Sequence, residues 1–323
     1  MHILLLLGLI LLGFVLLIKG ADFLVSGASS LARRFNVSEL TIGLTIVALG
    51  TSAPELVVNI ISGSGGHDEV VFGNIIGSNI FNLFLILGVS GTIYPLVVQR
   101  NTVTREVPFS LAVTLLLFFL LNDTMFGLGP EDNSSLMDGI ILLLLFLVFL
   151  AYVFMSMKKN LPSEGEGSSI PLYSTPVVIF RIVAGLAGLG FGGNLVVANA
   201  VEMAEIFEVS QKMIGLTIVA AGTSLPELAT SAVAAYKKQA DIAIGNVIGS
   251  NIFNMLLVLG LSTVINPLVY NPVLNTDMYI LMGGTLMLLL FMFTINKKKL
   301  DRYEALLYLV TFILYMAYLF YRQ

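Results

Sequence analysis

The chain has 323 residues, 57% of them hydrophobic and only 11% charged, with 16 Lys and Arg against 20 Asp and Glu for a net charge of −4. A soluble domain carries about 25% charged residues, so this is the composition of an integral membrane protein, with room for roughly ten spans of about 20 residues. The absence of cysteine excludes disulfides, iron–sulfur clusters and thiolate metal sites, the two histidines (His2 and His67) leave soft transition metals poorly supplied, and no basic arm points to nucleic acid.

Apolar windows separated by polar breaks predict ten helices, near 3–30, 38–63, 70–95, 106–122, 136–157, 174–200, 212–236, 241–267, 277–295 and 303–321. The first, MHILLLLGLILLGFVLLIKG, lacks a basic start and is longer than the apolar stretch of a signal peptide, so it reads as a span. The fourth is the shortest. Basic residues follow the odd spans: Arg33 and Arg34, Arg100 and Arg105, Lys158 and Lys159, Lys237 and Lys238, then Lys297 to Lys299 with Arg302. The intervening loops are acidic: Asp68 and Glu69, then Asp123, Glu131, Asp132 and Asp138, then Glu202, Glu205 and Glu208, then Asp277. By the positive-inside rule both termini face outward and the stretch 158–172 is a cytoplasmic linker. That linker is rich in Pro, Gly and Ser and too short for a domain, and the chain has no Walker-type phosphate loop.

The second span contains GTSAPE, Gly50 to Glu55, which puts a proline and an acid where a membrane helix should have neither. An ionised carboxylate near the bilayer centre costs roughly 2.5–3.5 kcal/mol even on the lenient insertion scale. Pro54 has no N–H, so the carbonyl four residues earlier loses its helical partner. Freed carbonyls, the hydroxyls of Thr51 and Ser52 and the carboxylate of Glu55 make an oxygen-rich cluster suited to a hard cation.

The seventh span repeats the device. IGLTIVALGTSAPE from Ile42 matches IGLTIVAAGTSLPE from Ile214, and GNIIGSNIFN from Gly73 matches GNVIGSNIFN from Gly245, each at an offset of 172 residues. The two motif regions run 42–82 and 214–254. Five spans per half is an odd number, so the halves, 1–157 and 173–323, must lie upside down relative to each other. Inverted repeats of this kind carry their site near the midplane at the repeat interface, the plan of secondary transporters.

Plainer readings exist for each feature. Glu55 and Glu227 would need basic partners inside the bundle, and Lys19 is expected to be the only basic residue within a span, enough for a single glutamate. Protonation and hydrogen bonding of both is the other plain reading; an intramembrane acid is by default a functional site. Gly73 with Gly77 and Gly245 with Gly249 suit close helix packing, but packing does not call for Asn74, Ser78, Asn79 and Asn82 on one span. Glu202 and Glu205 read as a solvated surface or as a cation-gathering mouth. Asp22 is expected to pair with Lys19 one helical turn back. Two glutamates give four oxygens, and carbonyls and hydroxyls extend the set toward the six to eight that calcium takes; sodium accepts the same donors. Magnesium fits less well because it holds its waters in a strict octahedron. A channel, or a receptor that binds a cation without moving it, remains a reading of another class.

These motifs, GTSAPE with GNIIGSNIFN and GTSLPE with GNVIGSNIFN, resemble the paired α-repeats of the calcium/cation antiporter superfamily, and within it the prokaryotic-type sodium/calcium exchangers. The resemblance covers nearly the whole chain. It implies an all-α membrane protein of ten transmembrane helices in two inverted five-helix repeats, with spans 2, 3, 7 and 8 enclosing the ions and spans 1 and 6 forming a loosely packed sliding gate. It implies a non-enzymatic antiporter in a prokaryotic cell membrane with no cofactor, with calcium, sodium and the lipid bilayer as its only partners. Glu55 and Glu227 would contact both ions, Thr51 and Thr223 would complete the calcium site, and Ser52, Ser224, Ser78 and Ser250 would line sodium sites. The carbonyls of Ala48 and Ala220 would contribute, with Asn82 at the centre. Many members of the family have Asp where this chain has Asn254, which leaves two acids rather than three. Potassium dependence and proton coupling stand as alternatives.

Overall fold

The structure, a computed structural model, describes residues 2–98, 102–127, 129–157, 172–207, 220–293 and 298–322. In the first half, α1 (His2–Arg34) is one long helix with Leu4, Leu11 and Phe14 exposed on its outer side. The second span is broken into α2 (Glu39–Thr51) and α3 (Ala53–Ser64), which meet at 46°. Ser52 sits at the break with φ −83° and ψ 6°, and Pro54 beyond it has no N–H to continue the helical ladder. Next come α4 (Asp68–Ile93), α5 (Val107–Leu120) and α6 (Leu136–Met157).

The second half runs α7 (Thr175–Ile206), a single turn α8 (Ala220–Thr223), α9 (Leu225–Tyr236), α10 (Ala240–Ile265), α11 (Asn275–Phe291) and α12 (Arg302–Arg322). The break recurs between α8 and α9, where Ser224 has φ −91° and ψ 6°. Residues 208–219, which carry the start of the seventh span and of its motif, lie outside the described residues, as does nearly all of the 158–172 linker.

Among the described residues, seven helices are long and apolar enough to cross a membrane, and α2 with α3 crosses as a broken pair. The fourth span is the short one, as expected. The 14 residues of α5 reach about 21 Å against a hydrocarbon core of about 30 Å. A π-helical turn, Thr102–Glu106, runs into its start and lengthens it.

Two short strand pairs tie the loops together. β1 (Leu96–Val97) pairs with β4 (Lys299–Leu300), and β2 (Asn133–Ser134) pairs with β3 (Leu268–Val269). Paired strands must share a membrane face, so the chain crosses an even number of times between them. Six crossings separate the first pair and four the second, which the ten-span count satisfies and a miscount by one inside either interval would not. Val97 and Val269 are related by the 172-residue offset, so equivalent loops make equivalent pairings, one on each face.

The first and sixth spans pack against each other along a glycine seam. A Cβ placed on Gly20 would lie 2.8 Å from Leu189 N and 2.9 Å from Gly185 O, and one on Gly185 would lie 2.6 Å from Leu24 N. Gly13 and Gly192 repeat the contact two turns away. Within this pair the glycines let two backbones touch, the close approach that the glycine-rich sixth span suits. Gly245 and Gly249 do likewise against α2, where a Cβ would meet Leu40 O at 2.9 Å and Leu44 O at 3.0 Å.

Two expectations about charge are corrected. Asp22 pairs with Lys237 Nζ at 2.7 Å, and not with Lys19. Lys237 ends the seventh span, and the contact crosses 215 residues of chain, out of reach of any local spacing rule. Nor is Lys19 the one cation in a span. Arg181 lies in α7, donating to Ser26 Oγ at 2.7 Å and stacking over the Tyr173 ring at 4.2 Å, so it is committed away from the glutamates.

Candidate ion-binding site

Each broken span restarts as a helix with a glutamate in its first turn: Glu55 in α3, Glu227 in α9. Unpaired N–H groups at a helix N-terminus favour negative charge there, which partly offsets the burial of these two acids. Burial is nearly complete, at 1% and 0% exposure. The serine at each break donates across the repeat interface, Ser52 Oγ to Glu227 Oε1 at 2.9 Å and Ser224 Oγ to Glu55 Oε1 at 3.1 Å. This exchange obeys the 172-residue relation and interleaves the two halves at their centre. Ser250 Oγ also donates to Glu227 Oε1, at 3.5 Å. The second oxygen of each glutamate, Oε2, is buried without a hydrogen-bond partner.

The threonines cross in the same manner. Thr51 Oγ1 donates to Asn246 Oδ1 at 3.0 Å, and Thr223 Oγ1 to Asn74 Oδ1 at 3.4 Å. Ser78 Oγ approaches the same Asn74 oxygen at 3.5 Å rather than a glutamate, a difference from its counterpart Ser250. Toward the far side, Asn82 Nδ2 donates to Asn251 Oδ1 at 3.0 Å and Asn254 Nδ2 to Asn79 Oδ1 at 3.2 Å. This leaves Oδ1 of Asn82 and of Asn254 buried and without a partner. Both asparagines lie in π-helical turns, Phe81–Ile86 and Asn254–Val258, irregularities common where helices carry function.

A cavity of about 380 Å³ reaches Thr51 and Pro54 from between α3 and α7, lined further along by Val57, Val58, Leu189 and Gly190. It follows α3 and so lies on the side of the break nearer Ser64. On the glycines of the two motifs α7 presses closely: a Cβ on Gly50 would fall 2.4 Å from Leu186 Cδ2, and one on Gly222 2.2 Å from Val197 Cγ2. One helix of the sixth span thus touches both breaks.

The sodium/calcium exchanger protein family matches residues 5–155 and 177–321. The chain belongs to that family. CaxA of Alkalimonas amylolytica is 40% identical over 315 residues, covering 96% of this chain and 97% of its own. The sodium/calcium exchanger MaX1 of Methanosarcina acetivorans is 31% identical over 344 residues, covering 97% and 98%. The sodium-calcium exchanger NCX_Mj, soaked with sodium, superposes with a TM-score of 0.83 at 32% identity, over 98% of this chain and 99% of that one. The exchanger fold, ten transmembrane helices in two inverted five-helix repeats, is the fold of this chain.

Within that fold the twelve residues singled out from the sequence fall into groups. Glu55, Glu227, Ser52, Ser224 and Ser250 share direct hydrogen bonds. Thr51 also approaches the Ala48 carbonyl, at 3.3 Å. Asn82 and Asn254 belong to the asparagine group next door, and Ser78 and Thr223 meet at Asn74. Ala220 opens α8. The sequence reading gave no role at the site to Asn246, Ser231 and Asn59. Asn246 joins Thr51 to Ser231, and Asn59 Nδ2 donates to the Glu55 backbone oxygen at 2.7 Å. The signal for Asn59 and Ser231 is a polar residue four positions after each motif glutamate, and Asn246 stands in GNVIGSNIFN at the position that matches Asn74.

Proposed function

We propose that the protein exchanges sodium for calcium by secondary active antiport, with alternating access to ions held between the two repeats. The observation that carries this reading is the pair of fully buried carboxylates, each with an oxygen left without a partner. A buried uncompensated charge costs several kcal/mol, and no ion pair among the described residues includes either glutamate. One divalent or two monovalent cations would neutralise the pair, and competition between those two solutions is the physical basis of exchange. The names of the relatives, with MaX1 and NCX_Mj called sodium/calcium exchangers, support the choice of ions.

In this reading Glu55, Glu227, Thr51 and Thr223 hold calcium, Ser52, Ser224, Ser78 and Ser250 serve sodium, and the carbonyls of Ala48 and Ala220 extend both sets. Asn82 and Asn254 supply neutral oxygens at the centre. The chain divides into repeats 1–157 and 173–323 around the 158–172 linker. Both termini face outward in the cell membrane of a prokaryote, which puts the cavity beside Thr51 on the outer side of the break in the second span. A reporter in the linker is expected to be cytoplasmic and reporters at either terminus external; termini on opposite faces would contradict the scheme.

Asn254 argues against a further monovalent cation at the centre. Its Nδ2 is committed to Asn79, and its free oxygen is an amide carbonyl, which offers a lone pair and no charge. An additional monovalent cation buried there lacks a counter-charge. Sodium-driven calcium uptake into proteoliposomes is therefore expected to persist when potassium is replaced by a large inert cation, and Asn254→Asp is expected to alter that cation dependence more than folding. Loss of flux without potassium would overturn the neutral-centre assignment. Uptake driven by a pH gradient in place of sodium would transfer the coupling to protons, and uptake with no opposing gradient would indicate a channel.

A further inference from the structure

Asn246 is fully buried in α10, with both ends of its amide engaged. Its nitrogen donates to Ser231 Oγ at 3.0 Å and to the Glu227 backbone oxygen at 3.4 Å. Those two acceptors fix which way the amide points, so its oxygen faces α2 and accepts the Thr51 hydroxyl at 3.0 Å. Thr51 has a rival acceptor in its own helix, the Ala48 carbonyl at 3.3 Å. That carbonyl already takes the Ser52 N–H at 3.0 Å. A hydroxyl has one proton and a carbonyl two lone pairs. If the Thr51 proton goes to Ala48, the carbonyl is saturated. If it goes to Asn246, the Thr51 oxygen keeps both lone pairs and the Ala48 oxygen keeps one.

We infer that Asn246, held in place by Ser231, is a positioning residue that takes the Thr51 proton and so frees the Thr51 hydroxyl and the Ala48 carbonyl together for the cation. This rests on the reading of Thr51 and Ala48 as ion ligands. The first repeat lacks an equal device. There the position matching Ser231 is Asn59, which uses the Glu55 backbone oxygen itself, and Asn74 Nδ2 is left buried without a partner. Asn74 Oδ1 is moreover shared by Thr223 and Ser78 at 3.4 and 3.5 Å. The ligand group around Thr51 is preset, and the one around Thr223 is less so.

The test is a double-mutant cycle on the full-length protein in proteoliposomes, reading the apparent KM for calcium and the maximal rate separately. Thr51→Val and Asn246→Ala are each expected to raise the KM about tenfold, and the double variant about tenfold as well, against about a hundredfold if the two acted independently. Asn74→Ala is expected to raise it less than Asn246→Ala. Independent, multiplying effects, or an Asn246→Ala variant that lowers only the maximal rate, would overturn the inference. An unchanged KM in Thr51→Val would instead overturn the ligand reading beneath it. Should Asn246→Ala fail to assemble, Ser231→Ala gives the same test. It is expected to raise the KM by about threefold in the wild-type background and not in Thr51→Val; equal rises in both would overturn the role assigned to Asn246.

Discussion

Glu55→Gln and Glu227→Gln are each expected to abolish sodium-driven calcium uptake while leaving an assembled membrane protein. Glutamine keeps the volume and one acceptor oxygen but removes a full charge. Two unit charges 4 Å apart interact by about 4 kcal/mol at an effective dielectric of 20, and a divalent ion doubles that. A loss of this order exceeds a ten-thousandfold drop in affinity, beyond any working calcium concentration. Assembly should not suffer, because the variant removes one of two like charges buried at 1% and 0% exposure. The serine that donates to each carboxylate, Ser224 or Ser52, finds the amide oxygen in its place. Uptake near the wild-type rate in either variant, with a normal thermal transition, would remove that glutamate from the site.

Gly185→Val is expected to be nearly as damaging, by another route. A Cβ at Gly185 lies 2.6 Å from Leu24 N and 2.9 Å from Gly20 O, so it meets backbone that no rotamer change can move aside. Valine adds two further methyl groups, and α1 and α7 must separate. Overpacking typically costs 1–3 kcal/mol, and separation of two helices that touch by their backbones belongs at or beyond the upper end. The folded yield by size exclusion should fall severalfold, and transport per folded molecule should fall with it, because α7 contacts Gly50 and Gly222 at both breaks. Gly8→Val on the same α1, with nothing near its Cβ position, is the control and should behave as wild type. Wild-type transport in Gly185→Val would mean that the seam is not maintained during the cycle.

Why some of this was readable from the chain and some not follows from the range of the interactions. Pro54 and Pro226 announce their helix breaks locally, and Glu55 and Glu227 stand out because acids are costly at that depth. The 172-residue offset turns two local oddities into an inverted pair. That symmetry requires Ser52 and Ser224 to make equivalent bonds but does not say that they cross to Glu227 and Glu55, partners 175 and 169 residues away. The part played by Asn246, visible in its motif, was not legible because it acts on Thr51 at a separation of 195 residues and because asparagine has several roles in a packed span. Asp22 misled for the same reason: Lys19 is one turn away in sequence, while Lys237 reaches it only through the packing of α1 against α9. The π-helical turn at Thr102–Glu106 has no pattern of its own in the sequence, so the fourth span looked shorter than the membrane it crosses.

Coupled flux is the most direct measurement of the central claim. Proteoliposomes loaded with labelled sodium are placed in sodium-free medium, and sodium release is followed with and without external calcium while calcium uptake is counted in the same vesicles. Sodium release that starts on addition of calcium, in fixed proportion to calcium gained and lost together with it in Glu55→Gln, is the predicted result. Sodium leaving at the same rate without calcium, or calcium entering with no release of sodium, would contradict exchange at a shared pair of carboxylates.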